Sequence, residues 1–324
     1  MVHSVRVTVS RGPVIESEHT VHAVVSDADG PVTVHGDPDR PVIARSAIKS
    51  IQAVPLLRTG AAEAFDCSDE EIALACSSHS GEPAHVEAVA AWLERLDLGP
   101  EALECGPDLP IDADARAAVH RAGGGPEALF NCCSGKHAGF LTVARHLGFD
   151  PAGYIRPDHP VQRLVTEAIE SFTGHSVAGQ TPGRDGCAIP TFAIPIRRLA
   201  RGMARLVRPD GLDAETTAAA ERLVAAPQGR QFWVAGTGRH EVHLGELVAE
   251  PLVVKAGAEG VFMAAVPSLG VGVALKVADG ASRAAEVGIS AVLADLGLVD
   301  PGAVSAPVKN KSGTVVGAVE AVRP

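Results

Sequence analysis

The sequence predicts an α+β fold on an antiparallel sheet, and three features lead there. Strand-like segments gather at the two ends of the chain. The long stretch between them reads as amphipathic helices separated by glycine- and proline-rich loops. The regular strand–helix alternation of a parallel nucleotide-binding sheet is missing. Segregation of this kind suits a central antiparallel sheet flanked by helices, with the first and last segments sharing that sheet, plus a mostly helical lobe.

The elements follow in order. Val5 to Ser10 alternates, and His19 to Ser26 (HTVHAVVS) is rich in β-branched residues, so both read as strands. Val32 to His35 fits a third, before a turn at Asp37 to Pro41. From Ser46 the period becomes helical, with Ile48, Ile51, Val54 and Leu57 on one face. His85 to Leu96, Asp112 to Arg121, Lys136 to Leu147 and Pro160 to Phe172 read as amphipathic helices. Loops at Gly123 to Pro126 and Gly179 to Gly186 punctuate them. Ile194 to Val207 and Ala214 to Ala225 continue the helical pattern. Short apolar runs at Leu252 to Lys255, Val261 to Val266 and Val271 to Val277 bring strands back. Ser282 to Leu296 is a helix, and Thr314 to Val319 a final strand. The chain reads as one catalytic unit over 1–324, with 1–65 and 212–324 forming an α/β lobe and 66–211 a mainly helical lobe.

Composition narrows the function. There are 28 basic and 39 acidic residues, a net charge of −11. That argues against nucleic acid, which wants a basic face, and against an anionic membrane surface. No apolar run approaches the ~18 residues of a membrane span. The opening MVHSVRVTVSRG alternates as a strand does, unlike a leader peptide, so a cytoplasmic location is expected. In that setting Cys67, Cys76, Cys105, Cys132, Cys133 and Cys187 are expected as free thiols or metal ligands rather than disulfides. Only 6 lysines stand beside 22 arginines. Arginine cannot give up its proton and a desolvated lysine can, so each retained lysine draws attention.

Ser46-Ala47-Ile48-Lys49 is an S-x-x-K step entering a helix. A lysine so placed can take the hydroxyl proton when burial or positive neighbours hold it neutral, and the helix N-terminus offers N–H groups to an oxyanion. Alternatively, Ser46 caps the helix and Lys49 is solvated. The serine hydrolases of the β-lactamase and penicillin-binding group carry S-x-x-K, an S-x-N-like element and K-T-G on a strand, in that order. Here Ser78-His79-Ser80 and Lys255-Ala256-Gly257 follow Ser46 and Lys49 in the same order, with Ser80 and Ala256 as departures. That order and placement agree with the strand–helix–strand layout and strengthen the catalytic reading of the pair. A second cluster, FNCCSGKHAGFL at Phe130 to Leu141, precedes Asp185-Gly186-Cys187 by about fifty residues, a spacing open to a split zinc site. Small buried cysteines in a tight turn are the alternative.

These pieces recur together. RSAIKS at Arg45, SSHSGE at Ser77, CSGKHAGFL at Cys133, HPVQ at His159, RDGCAIP at Arg184, GTGR at Gly236 and KAGAEG at Lys255 resemble, in order, the motifs of the asparaginase II family of the rhizobial type. The resemblance covers nearly the whole chain and implies a β-lactamase-like fold and a homodimer. It also implies a site. Ser46 with Lys49 and Ser78 with Lys255 would form two Ser–Lys pairs. Cys133, Lys136 and Cys187 would hold one zinc ion that is not the direct catalyst. Arg45, His137 and Asp185 would line the substrate pocket. Ser77 departs from the family's alanine and leaves open which serine is which. The implied activity is L-asparagine hydrolysis to L-aspartate and ammonia, with Ser46 the expected nucleophile and Lys49 its base. A glutaminase, a penicillin-recognising hydrolase, or a non-catalytic protein that binds zinc or amino acids are the rival readings.

Overall fold

The computed structural model describes residues 4–322, and these divide into two compact units. One comprises Met1–Ala47, Ala193–Arg208 and Leu244–Pro324; the other comprises Ile48–Phe192 and Pro209–His243.

The first unit is built on an eight-stranded sheet. Its strands run in the order Ala306–Lys309, Val315–Val322, Val5–Arg11, Val14–Ser26, Val271–Val277, Val261–Val266 and Val253–Gly257, with Pro31–His35 also paired to Val14–Ser26. Every pairing in it is antiparallel. The two ends of the chain meet, with Val7 opposite Ala321 and Val9 opposite Val319. The period-2 pattern explains the core. Val5, Val7, Val9, Val21, Ala23, Val25, Val273, Leu275 and Val277 share one face and pack on the Ser282–Asp295 helix. The Ile196–Val207 helix lies against the opposite face, where Gly272 lets its backbone come close. A Cβ at Gly272 would meet the Ala200 carbonyl and the Ala204 amide.

The second unit is helical. Its central helix, Ser134–Leu147, is buried at every position from Ser134 to Ala144. Such a helix needs small residues where neighbours cross it, and Gly135 supplies one. A Cβ there would stand 2.6 Å from the Leu74 carbonyl at the end of the Asp69–Ala75 helix. That shorter helix begins with a capping box, Ser68 reciprocated by Glu71. Among the described residues no helix is long and apolar enough to cross a membrane.

The α+β class and the shared terminal sheet match the expectation. The unit boundaries differ from it in three segments. Ile48 to Phe65 and residues 212–243 join the helical unit, while Ala193–Arg208 joins the sheet. A helix belongs with whatever its apolar face covers, and sequence shows the face but not the partner. The helix expected from Ser46 is also interrupted. A 3-10 turn at Arg45–Ile48 leads into Lys49–Gln52, and a new helix runs from Val54 to Arg58. Pro55 cannot donate to a carbonyl in the preceding turn, so it opens a helix instead of continuing one.

Candidate active site

In the helical unit, two segments, Ser77–Ser78 and the Cys133 turn, converge on the Lys49 amine. Lys49 opens a one-turn helix and is fully enclosed. Its Nζ donates to the Ser77 carbonyl, to Ser78 Oγ at 3.0 Å and to Cys133 Sγ at 3.2 Å. Ser77 to Ser80 follow the Asp69–Ala75 helix outside any regular element, and backbone bonds hold them in place. Ser78 N–H donates to the Val234 carbonyl and His79 N–H to that of Cys132. Glu82 accepts from both the amide and the hydroxyl of Thr237.

His79 braces this segment against the cysteine turn. Its Nδ1 accepts from the Gly81 amide at 3.2 Å, so Nε2 carries the hydrogen and donates to Ser134 Oγ at 2.8 Å. Ser134 in turn donates to the Leu129 carbonyl. Burial, with help from nearby His85 and Lys49, pushes the His79 imidazole down to about 3, so it stays neutral. Asn131 fixes the same turn, accepting from Cys133 N–H and donating to the carbonyls of Cys105 and Gly106.

The thiols are not alike. Cys132 and Cys187 hydrogen-bond the Cys133 sulfur, and the Lys49 and Lys136 amines add positive charge, so its thiol is held well below the usual range. Cys187 moves the opposite way, because it is the donor in that pair and is buried beside a thiolate. Burial and the Cys133 charge push Cys105 up to about 12. Lys136 Nζ donates to Cys187 Sγ at 3.1 Å. Burial works against its charge, but the Cys187 and Cys133 sulfurs and the Asp185 carboxylate outweigh burial and hold it protonated. Asp185 and Cys187 sit on one tight turn closed by backbone bonds Asp185–Ile189 and Ala188–Asp185, with Ala188 at φ 71°. The structure thus brings Cys133, Lys136 and Cys187 together. Two thiols and an amine suit zinc in softness and number once the amine sheds its proton. No three His, Cys, Asp or Glu residues are grouped to hold a metal among the described residues.

The sheet unit carries the remaining candidates. Ser46 stands half-buried on the Arg45–Ile48 turn, and Arg45 is held at φ 51°, a left-handed conformation unusual for arginine. Lys255 is 1% exposed on Val253–Gly257, with Nζ on the Ala256 carbonyl at 2.9 Å. Gly257 is where that strand meets the turn. A Cβ there would lie 2.8 Å from the Ala44 carbonyl and 3.1 Å from the Ala47 amide. Each unit thus holds one of the serines and one of the lysines. The serine bonded to Lys49 is Ser78, a pairing the S-x-x-K spacing does not suggest.

His137, on the central helix, is fully enclosed and kept neutral by burial and by Lys136. Its Nδ1 lies 2.6 Å from the Tyr154 hydroxyl. Sequence reading missed Tyr154, His79, Asn131 and Ser134. Tyr154 left a signal, as the chain's only tyrosine.

The L-asparaginase II family model matches residues 7–321. Among solved structures, a β-lactamase from Mycobacterium bovis is similar at 16% identity and TM-score 0.45, over 86% of this chain and 95% of that one. Simvastatin synthase from Aspergillus terreus is similar at 11% identity and TM-score 0.41, over 79% and 86%. Mglu in its native form is similar at 17% identity and TM-score 0.40, and the match spans 86% of this chain and 64% of that one. No curated protein sequence matches.

Proposed function

We propose, from the premise that this chain belongs to the L-asparaginase II family and is an amidohydrolase, that it hydrolyses L-asparagine to L-aspartate and ammonia through a serine–lysine pair. The observation that carries the reading is the enclosed contact of Lys49 Nζ with Ser78 Oγ at 3.0 Å.

The three hydrogen bonds that Lys49 donates occupy the three hydrogens of an ammonium, and once it has given one of these up the amine fits a base. A neutral amine has two hydrogens and one lone pair. The hydrogens serve the Ser77 carbonyl and Cys133 Sγ, and the lone pair then faces the Ser78 hydroxyl. In the reaction Lys49 takes the Ser78 proton as Oγ attacks the side-chain amide carbon. The C–N bond breaks when the nitrogen receives that proton, and ammonia leaves an ester on Ser78. Water adds to the ester, giving its proton through Lys49 back to Ser78, and aspartate departs. Asp185, next to Lys136, suits the substrate's ammonium group. Cys133, Cys187 and Lys136 would hold zinc, and bound there the ion would supply a fixed positive charge that orients Asp185 and the pocket wall. His79, His137 and Asn131 hold the backbone and rings of this region in place by the bonds given above.

The test is ammonia release from a panel of amides by the wild type, Ser78→Ala and Ser46→Ala. Loss confined to Ser78→Ala assigns the nucleophile to Ser78, and loss confined to Ser46→Ala returns it to the serine of the S-x-x-K step. Activity within a few-fold of wild type in both variants would exclude a serine mechanism. Glutamine is longer by one methylene, worth only ~1–3 kcal/mol in a pocket, so it belongs in the panel.

A further inference from the structure

The one buried imidazole nitrogen without a partner in the candidate site is His137 Nε2, on a side chain with no exposure. Its hydrogen can be placed by accounting. The Tyr154 oxygen accepts the Glu104 backbone N–H at 2.9 Å and lies 2.6 Å from His137 Nδ1. Tyr154 is itself fully buried. If Nδ1 carried the hydrogen, the phenol would accept twice, and its own O–H would be left without an acceptor. The Nε2 lone pair would be idle as well. If Nε2 carries the hydrogen, the phenol donates to Nδ1, and a single group, Nε2–H, is left unpaired. Buried polar groups are nearly always paired, so the arrangement with one orphan outranks the arrangement with two.

The ring that carries this orphan sits in a defined neighbourhood. The charges that act on the ring are those of Lys136, Cys133 and Lys49, the groups that make up the site. A neutral ring N–H held there is a donor waiting for an acceptor. It also has no lone pair to offer a cation, which leaves His137 outside the set that would hold zinc.

We infer that Tyr154 and the Glu104 amide lock His137 as the Nε2–H tautomer, and that this donor receives an oxygen of the bound amino-acid amide. Tyr154 is thus a positioning residue, acting through His137. The tautomer stands independently of any activity, whereas the acceptor's identity rests on the asparaginase reading.

The test uses full-length protein with 15N-labelled histidine, observed through imidazole proton–nitrogen couplings, with His137 assigned by its loss in His137→Gln. The expected pattern is a protonated Nε2 and a bare Nδ1. Tyr154→Phe removes the hydroxyl hydrogen and should abolish that pattern. The product L-aspartate, which is not turned over, should shift the Nε2 signal. A protonated Nδ1 in the wild type overturns the inference, and so does an Nε2 signal indifferent to aspartate. In kinetics, Tyr154→Phe should raise KM for asparagine about five- to tenfold, the usual worth of one hydrogen bond, with kcat nearly unchanged. Added to His137→Gln, which has no tautomer to set, Tyr154→Phe should change KM no further. An additive double variant contradicts the lock, because a merely structural tyrosine would add its own effect. The locked tautomer in a protein that releases no ammonia would sink the asparaginase reading alone. A protein that releases ammonia with His137 protonated at Nδ1 would sink this inference alone.

Discussion

At Ser78 the hydroxyl oxygen lies 3.0 Å from Lys49 Nζ, and the chemistry proposed for that contact requires the amine to hand its proton on. Lys49→Arg keeps the charge and much of the length but supplies a group that never becomes neutral. Its kcat should fall by about 10²–10⁴-fold, the range of a lost general base, and neither raised pH nor more substrate should restore it. Recovery at high pH would show that charge, not proton transfer, is what Lys49 contributes. The residue types were legible in the sequence. Ser46, Lys49, Ser78, Lys255, Cys133, Lys136 and Cys187 stand out as nucleophiles and soft ligands in an arginine-rich chain. The partnership of Lys49 with Ser78 was not. The two are 29 residues apart, and only the return of the chain after the Asp69–Ala75 helix brings them together.

Elements are positioned by where a side chain is absent as much as by where one is present. Gly135 faces the Leu74 carbonyl, so Gly135→Ala forces backbone apart between two helices that both carry the site. The cost should be about 1–3 kcal/mol, seen as a lower midpoint in urea with an unchanged slope. Gly148, exposed at the left-handed end of the same helix with open space around it, is the contrast. Gly148→Ala should cost less than Gly135→Ala, through backbone strain alone. At the helix entry, Ser68→Ala should lose about 0.5–2 kcal/mol, since it breaks both halves of a capping box. Periodicity made most of these elements readable. It failed where the physics was local to one bond, as at Pro55, or where a strand was short, as at Ala306–Lys309.

Across the whole molecule, the titration of buried histidines sets the response to acid. His79 is depressed to about 3 by burial, and His137 and His85 are lowered too. An unfolded imidazole takes its proton near 6.5, so below that pH the unfolded chain binds protons that the folded chain refuses. The stability is present above pH ~6.5 and is lost as pH falls toward 3, by up to on the order of 4 kcal/mol for His79. Chemical denaturation from pH 7 to pH 4 should show this decline, and a flat profile would mean that His79 is solvated. Metal removal reads a different property. If Cys133, Lys136 and Cys187 hold zinc, the ion binds only the folded chain and raises its melting temperature. Treatment with a chelator should lower that temperature, and zinc should restore it. Cys187→Ala should abolish the response.

Sequence alone determined the class of fold, the sheet shared by the two ends, the family, and the short roster of reactive side chains. Those follow from local period and from motifs a few residues long, in which each residue's chemistry is carried by its own atoms. Tertiary structure decided the rest. It chose Ser78 as the hydroxyl beside Lys49, gave Ala193–Arg208 to the sheet, and set one thiol below its neighbours. It also put the single tyrosine against His137. Each of these depends on which distant segments share a water-free space. Burial strengthens the interaction of charges and makes an unpaired hydrogen costly, and neither effect exists until the chain has folded.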